Sequence, residues 1–456
     1  MIETSEIKAF LDARDKKGLK DFLSEYSAEE IADLLNHLEE ENLLLVFKAI
    51  DRDIAFASYE LLDINFQIAL LDLLPNKLVT LIINDMSPDK RTALFQELDN
   101  EMLNKHLKLL TLSERTVALN LLGYPENSIG RLMTPDYIAV KANWTVNDVL
   151  NFIRKYGENS ETLNVIYIID DKGILVDDIK VREILIAHPE TQLQEIIDGR
   201  YTALSVLDDE EVAINVFSKN NRVALPVVDK NGLLLGIVTM DDVLRLSKEE
   251  DTEDIQKIGG VEALEEPYMD VPIPLMIRKR AVWLIVLFFG ELLTASAMAF
   301  FEDEIAKAVV LALFVPLIVS SGGNSGSQAA TLIIRAMALG EITINDWWRV
   351  LKREIISGFA LGLILAIIGF IRIGMWNYFT HVYGVHWFGI AATVSFSLLG
   401  IVMWGTLMGS MLPIALKKLG ADPATSSAPF VATLVDVTGL LIYFTFALLF
   451  LKGTLL

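Results

Sequence analysis

The chain has 456 residues, with 61 acidic against 39 basic side chains, a net charge of −22 and no cysteine. That balance disfavours nucleic acid and anionic lipid headgroups as partners, and the missing thiols exclude disulfides and thiolate metal sites. The five histidines (His37, His106, His188, His381, His386) show no zinc-ligand spacing. Charge is segregated along the chain. Nine acidic and 12 basic residues follow residue 277, so a soluble block at −25 precedes an apolar block at +3.

The opening Met1 to Glu6 has neither a basic start nor an apolar stretch, so a cleaved signal peptide is not expected. From about residue 5 to 125, leucines recur at three- and four-residue spacing between short polar turns, which predicts a stack of short helices. Ser87 before Pro88 reads as an N-cap and first helical residue. We take 1–130 as an all-α helical superhelix.

At Gly130 the pattern changes to strands and helices that run twice through residues 131–248. Helices are expected around Val146 to Tyr156 and Glu210 to Lys219. The pieces Ile168-Ile-Asp-Asp-Lys-Gly173 and Val227-Val-Asp-Lys-Asn-Gly232 mark an internal duplication. This α/β tandem is similar to a pair of cystathionine β-synthase (CBS) domains. The second copy keeps the Thr-x-x-Asp signature at Thr239 and Asp242, which the resemblance implies would contact ribose and phosphate of a nucleotide such as ATP. The first copy departs from it, with Lys180 and Glu183 at the matching positions and Asp177 in place of a glycine. An acidic, helix-favouring stretch at 249–277, broken by Gly259-Gly260, predicts a connecting helix.

Five hydrophobic segments follow within 278–456, centred near 290, 320, 362, 402 and 440. Each approaches or exceeds the roughly 20 residues of a membrane span. Basic residues flank alternate ends: Arg278 to Arg280, Arg349 with Lys352 and Arg353, and Lys417 with Lys418. The positive-inside rule then places the N-terminus in the cytoplasm and the C-terminus outside.

Within the second segment, the glycine-rich run from Pro316 to Gln328, which includes Asn324, is expected to interrupt the span. Such backbone must pack on neighbours or line a wet cavity. The last segment carries Asp436, and an ionisable group at that depth is costly unless it faces a bundle interior or a water-filled path. Helical spacing puts Pro429, Ala432 or Thr433, Asp436 and Gly439 on one stripe. Oxygen donors alone suit a hard, hydrated cation such as Mg2+, and two chains meeting on a two-fold axis would supply a facing carboxylate pair. A hydrogen-bonded packing residue or a proton relay is the competing reading of Asp436. Glu291, in the first segment, reads equally as a packing or a transport residue. Asp422, before Pro423, would lie at the cytoplasmic mouth or serve as an N-cap.

The order of helical domain, CBS pair, acidic connecting helix and five spans, with Gly322-Gly-Asn-Ser-Gly326 and Ala432-Thr-Leu-Val-Asp-Val-Thr-Gly439, resembles the bacterial MgtE magnesium channels along essentially the whole chain. The resemblance implies a multidomain integral membrane protein, a homodimer whose pore between subunits is lined by the second and fifth spans. In it Asp436 and the Ala432 carbonyl would bind hydrated Mg2+. Cytosolic Mg2+ bound among acidic residues would hold the gate shut through the connecting "plug" helix. Candidate sensor carboxylates are Asp85, Asp89, Glu210, Glu211, Asp229, Asp242, Glu250, Asp251, Glu253 and Asp254. A Na+- or H+-coupled divalent cation transporter is the alternative, and a membrane-tethered nucleotide sensor a third reading. No phosphate-binding loop or catalytic triad pattern occurs, so no enzymatic activity is expected.

Overall fold

The computed structural model describes residues 7, 10, 11, 13, 15–38, 40–264, 268, 269 and 271–455. Met1 to Glu6, and residues 265–267 and 270 of the connecting stretch, lie outside them. Two compact units, Met1–Ser247 and Lys248–Leu456, make up the chain.

In the first unit short helices run from Lys16–Leu23 to Leu112–Leu122. Their apolar stripes meet in a core that includes Leu23, Leu35, Leu70, Ile83 and Phe95. Ser27 and Glu30 form a reciprocal capping box on Ala28–Leu35. Ser87 and Pro88 stand at the expected start of Pro88–Gln96, but the Ser87 side chain makes no cap hydrogen bond. The Arg91 guanidinium, wholly buried, instead donates to the Ile83 carbonyl at 3.1 Å and to Glu114 at 2.5 Å, tying three helices together.

The duplication follows as two three-stranded sheets of the same design. In the first, β1 (Ala139–Lys141) pairs parallel with β2 (Val165–Ile169), which pairs antiparallel with β3 (Leu175–Lys180). In the second, β4 (Leu204–Ser205), β5 (Ala224–Val228) and β6 (Leu234–Thr239) repeat that order. Both hairpin turns place a glycine, Gly173 and Gly232, at φ +83°, where any side chain would be strained. The two turns also meet, Leu175 N–H donating to the Gly232 carbonyl and Leu234 N–H to the Gly173 carbonyl. The last strand leads into a helix, Met240–Ile258, that spans the boundary between the units.

In the second unit five helices are long and apolar enough to cross a membrane. They are α1 (Ile273–Phe300), α2 (Val315–Ala338), α3 (Trp347–Thr380), α4 (Trp387–Lys418) and α5 (Ala428–Leu451). Their centre is α4, whereas α1 buries none of its residues and packs chiefly on α5. The glycine-rich run does not interrupt its span: α2 is helical throughout Gly322 to Gln328. The reason is packing. A Cβ on Gly405 of α4 would strike the Gly322 carbonyl oxygen, and one on Gly409 the Gly326 carbonyl oxygen. Backbone therefore rests on backbone, and each helix keeps its own hydrogen bonds. The actual break precedes α2, among the short helices Glu302–Lys307 and Val309–Ala312, where the Tyr443 hydroxyl donates to the Leu311 carbonyl at 2.9 Å.

Gly409→Val should force these backbones apart and cost about 2–3 kcal/mol, lowering the melting temperature in detergent by several degrees. Gly439→Ala, whose added Cβ would meet Ile401 at an ordinary 3.5 Å, should change it little.

Candidate functional site

The close seat of α2 brings the Gly323 backbone onto Asp436. A Cβ placed on Gly323 would lie 3.3 Å from the Ala432 Cβ and 3.6 Å from Asp436 Oδ1. Asp436 is half-buried, one helical turn beyond Ala432 and Thr433. The Thr433 hydroxyl donates to the Pro429 carbonyl at 3.0 Å, so its proton is committed to α5. Ser327 of α2 donates to the Ala428 carbonyl at 3.0 Å, fastening the two helices one layer nearer the start of α5. Asn324 and Gln328 are exposed on the outer side of α2, with Asn324 Nδ2 at 3.5 Å from Ser320 Oγ. Glu291 of α1 is an electrostatic neighbour of Asp436.

Among the described residues no group of three or more His, Asp or Glu could enclose a metal ion. One chain thus presents carboxylate and carbonyl oxygens along a helix face, a donor set suited to an ion that keeps most of its waters.

Asp422 lies at the entry to α5. Its carboxylate accepts from Ala424 N–H at 2.8 Å, confirming the cap, and from Lys257 Nζ at 2.7 Å. Lys257 also pairs with Glu253. Burial opposes the Lys257 charge, but hydrogen bonds to Asp422 and Glu253 outweigh it and raise its pKa. Asp254 is pushed above the usual carboxylate range by burial and then by Asp422. Glu250 and Asp251 lie on the same helix, Asp251 exposed and Glu250 half-buried.

Sensor candidates in the first unit separate into two sets. Asp89 (5% exposed) and Asp242 (2% exposed) come together. Burial, followed by the neighbouring Asp242, raises the Asp89 pKa. Glu161, at the cluster's edge, is pushed up to about 7 by desolvation and then by Asp89. Nothing in the sequence marked Glu161, because its proximity arises only when the helical stack meets the first CBS copy. Asp229 belongs elsewhere: it accepts from Asn231 and Leu233 N–H and shapes the hairpin turn, as Asp170 does in the first copy. Asp85 is exposed at the end of Asn76–Asp85, and Glu210 and Glu211 open the helix after β4.

The Thr239 hydroxyl donates to Asp242 at 2.7 Å, and Arg245 donates to the other Asp242 oxygen at 2.8 Å. In the first copy Asp177 is buried and accepts from Asp178, Asp198 and Gly199 N–H, so the departure from glycine closes a loop.

Three family descriptions match the chain: a divalent cation transporter, MgtE, over residues 315–446; an MgtE intracellular N domain over 26–127; and CBS domains over 129–190 and 176–249. The magnesium transporter MgtE of Thermus thermophilus is 39% identical over 334 residues, 72% of this chain and 71% of the relative. That of Bacillus subtilis is 29% identical over 432 residues, 95% of this chain and 88% of the relative. Among solved structures, the cytosolic domain of the Mg2+ channel MgtE in complex with ATP superposes with a TM-score of 0.50 at 29% identity, covering 52% of this chain and 98% of that one.

The raised carboxylates have a consequence for stability. Glu161 moves from 4.5 to about 7 on folding, so across that window the native state holds more protons than the unfolded chain, and stability falls as pH rises through it. With divalent ions chelated, the melting temperature should drop between pH 5 and pH 7.5, and Asp89→Asn should flatten the drop; an unchanged slope would place the charge elsewhere.

Proposed function

From the premise that this chain belongs to the MgtE family of divalent cation transporters, we propose that it conducts Mg2+ into the cytoplasm through a pore bordered by α2 and α5, with Asp436 and the Ala432 carbonyl holding the hydrated ion. The observation that carries this reading is the seat of the Gly323 backbone against Ala432 and Asp436. Lacking a Cβ, Gly323 lets α2 close on α5 beside Asp436, so the carboxylate and the Ala432 carbonyl stand at the border of the two helices.

The pore forms between two copies of the chain. Support comes from what a single copy leaves uncovered: α1 buries no residue, and Asn324 and Gln328 are exposed on an apolar helix. Polar side chains facing lipid are costly, and a second copy or a water-filled path removes that cost. The basic residues at alternate span ends favour a cytoplasmic first unit.

Control by the transported ion follows from electrostatics. Asp89, Asp242 and Glu161 repel one another within the first unit, and Asp251, Glu253 and Asp254 do so along the connecting helix. Mg2+ that binds them better in the closed arrangement shifts the equilibrium toward closure by that difference in affinity. An adenine nucleotide, which the solved cytosolic relative holds, is assigned to the second copy through Thr239 and Asp242. The work of the chain is transport and not catalysis.

Flux into proteoliposomes under an imposed potential, with no Na+ or proton gradient, tests this. Wild type should carry Mg2+ and slow as Mg2+ on the first-unit face rises to millimolar, and Asp436→Ala should lose about tenfold or more of the flux. Flux that needs a coupling gradient, or that ignores Asp436, would overturn the reading.

A further inference from the structure

Glu291 is the sole acidic residue of α1. It lies 11 residues beyond Arg280 and 11 before Glu302, about 16 Å from each at 1.5 Å per residue, and so near mid-membrane. A carboxylate there is expensive on a helix that buries none of its residues, the exposed Glu291 included. Gly290 explains how it is held: an added Cβ at that position would overlap the Thr433 side chain, so α1 rests on α5 one turn before Asp436. That contact makes the Glu291 carboxyl an electrostatic neighbour of Asp436.

We propose that Glu291 supplies a second carboxylate to the ion path and sets the preference for divalent over monovalent cations; the proposal rests on the reading of Asp436 as a pore residue. Two neighbouring carboxylates repel one another. A cation seated beside both removes the repulsion, and a doubly charged ion gains twice the attraction of a singly charged one at the same distance. An adhesive role between helices needs only hydrogen bonding, which a glutamine provides as well. The charge is what distinguishes the two roles.

The experiment measures Mg2+ flux against Mg2+ concentration, with and without competing Na+, for full-length wild type, Glu291→Gln and Glu291→Asp in proteoliposomes. Glu291→Gln should raise the half-saturating Mg2+ concentration and weaken the Mg2+ over Na+ preference, each by about fivefold. Glu291→Asp should retain most of the preference. Unchanged half-saturation and preference in Glu291→Gln would overturn the proposal. So would a parallel loss of folded protein and maximal flux in both variants at wild-type preference, which marks a packing residue. Wild type that carries no Mg2+, or Asp436→Ala with wild-type flux, would instead remove the transport reading on which the proposal stands.

Discussion

A bilayer core offers no water to backbone groups, and the second unit is organised around that constraint. Each long helix satisfies its own amides and carbonyls, and specificity comes from how closely the helices approach. The decisive approach is glycine on glycine: Gly322 and Gly326 of α2 against Gly405 and Gly409 of α4. A methyl group on Gly405 or Gly409 would strike the facing carbonyl and separate the backbones, and one on Gly322 or Gly326 would strike the Ile401, Val435 or Val431 side chains. With α2 pinned there, its other side presents Gly323 to Ala432 and Asp436, and Ser327 to the Ala428 carbonyl. The site is therefore a consequence of the packing, and not a separate loop laid upon it.

The same economy of side chains recurs at the entry to α5. Lys257 stands between Glu253 and Asp422, where a free cation would otherwise be drawn. A tethered ammonium at this point fastens the end of the connecting helix to the start of the last span. Asp254 of that helix is half-buried and feels the Asp422 charge, while Asp251 is exposed. The first unit has its own acidic region, Asp89, Asp242 and Glu161, in which Arg245 pairs with Asp242 while burial raises Asp89 and Glu161.

The CBS pair shows how duplicated backbone can diverge in use. Both copies keep the same strand order, the same irregularity near the end of the middle strand and the same aspartate-capped hairpin turn. Asp177 and the Thr239–Asp242 pair then take the copies apart: one closes a loop with a buried carboxylate, the other joins a hydroxyl and a carboxylate beside Asp89. Asp229, though acidic and near the second copy's surface, is occupied by its own turn.

Periodicity and composition in the sequence determined the helical stack, the duplicated α/β pair, the five apolar segments and the residues with unusual chemistry within them, since each of these is a local property of side-chain order. What those residues touch was decided only by the tertiary structure. An unbroken α2 was not legible, because a glycine run weakens a helix in isolation and becomes an asset only against a facing helix that needs the space. Glu161 carried no local signal, and its partner Asp89 lies more than seventy positions away in the chain. Glu291 and Asp436 stood out separately as charges in apolar segments, but their meeting depends on Gly290 letting α1 close on α5. Local pattern fixes which groups are present, while long-range packing sets the distances and desolvation that give them a function.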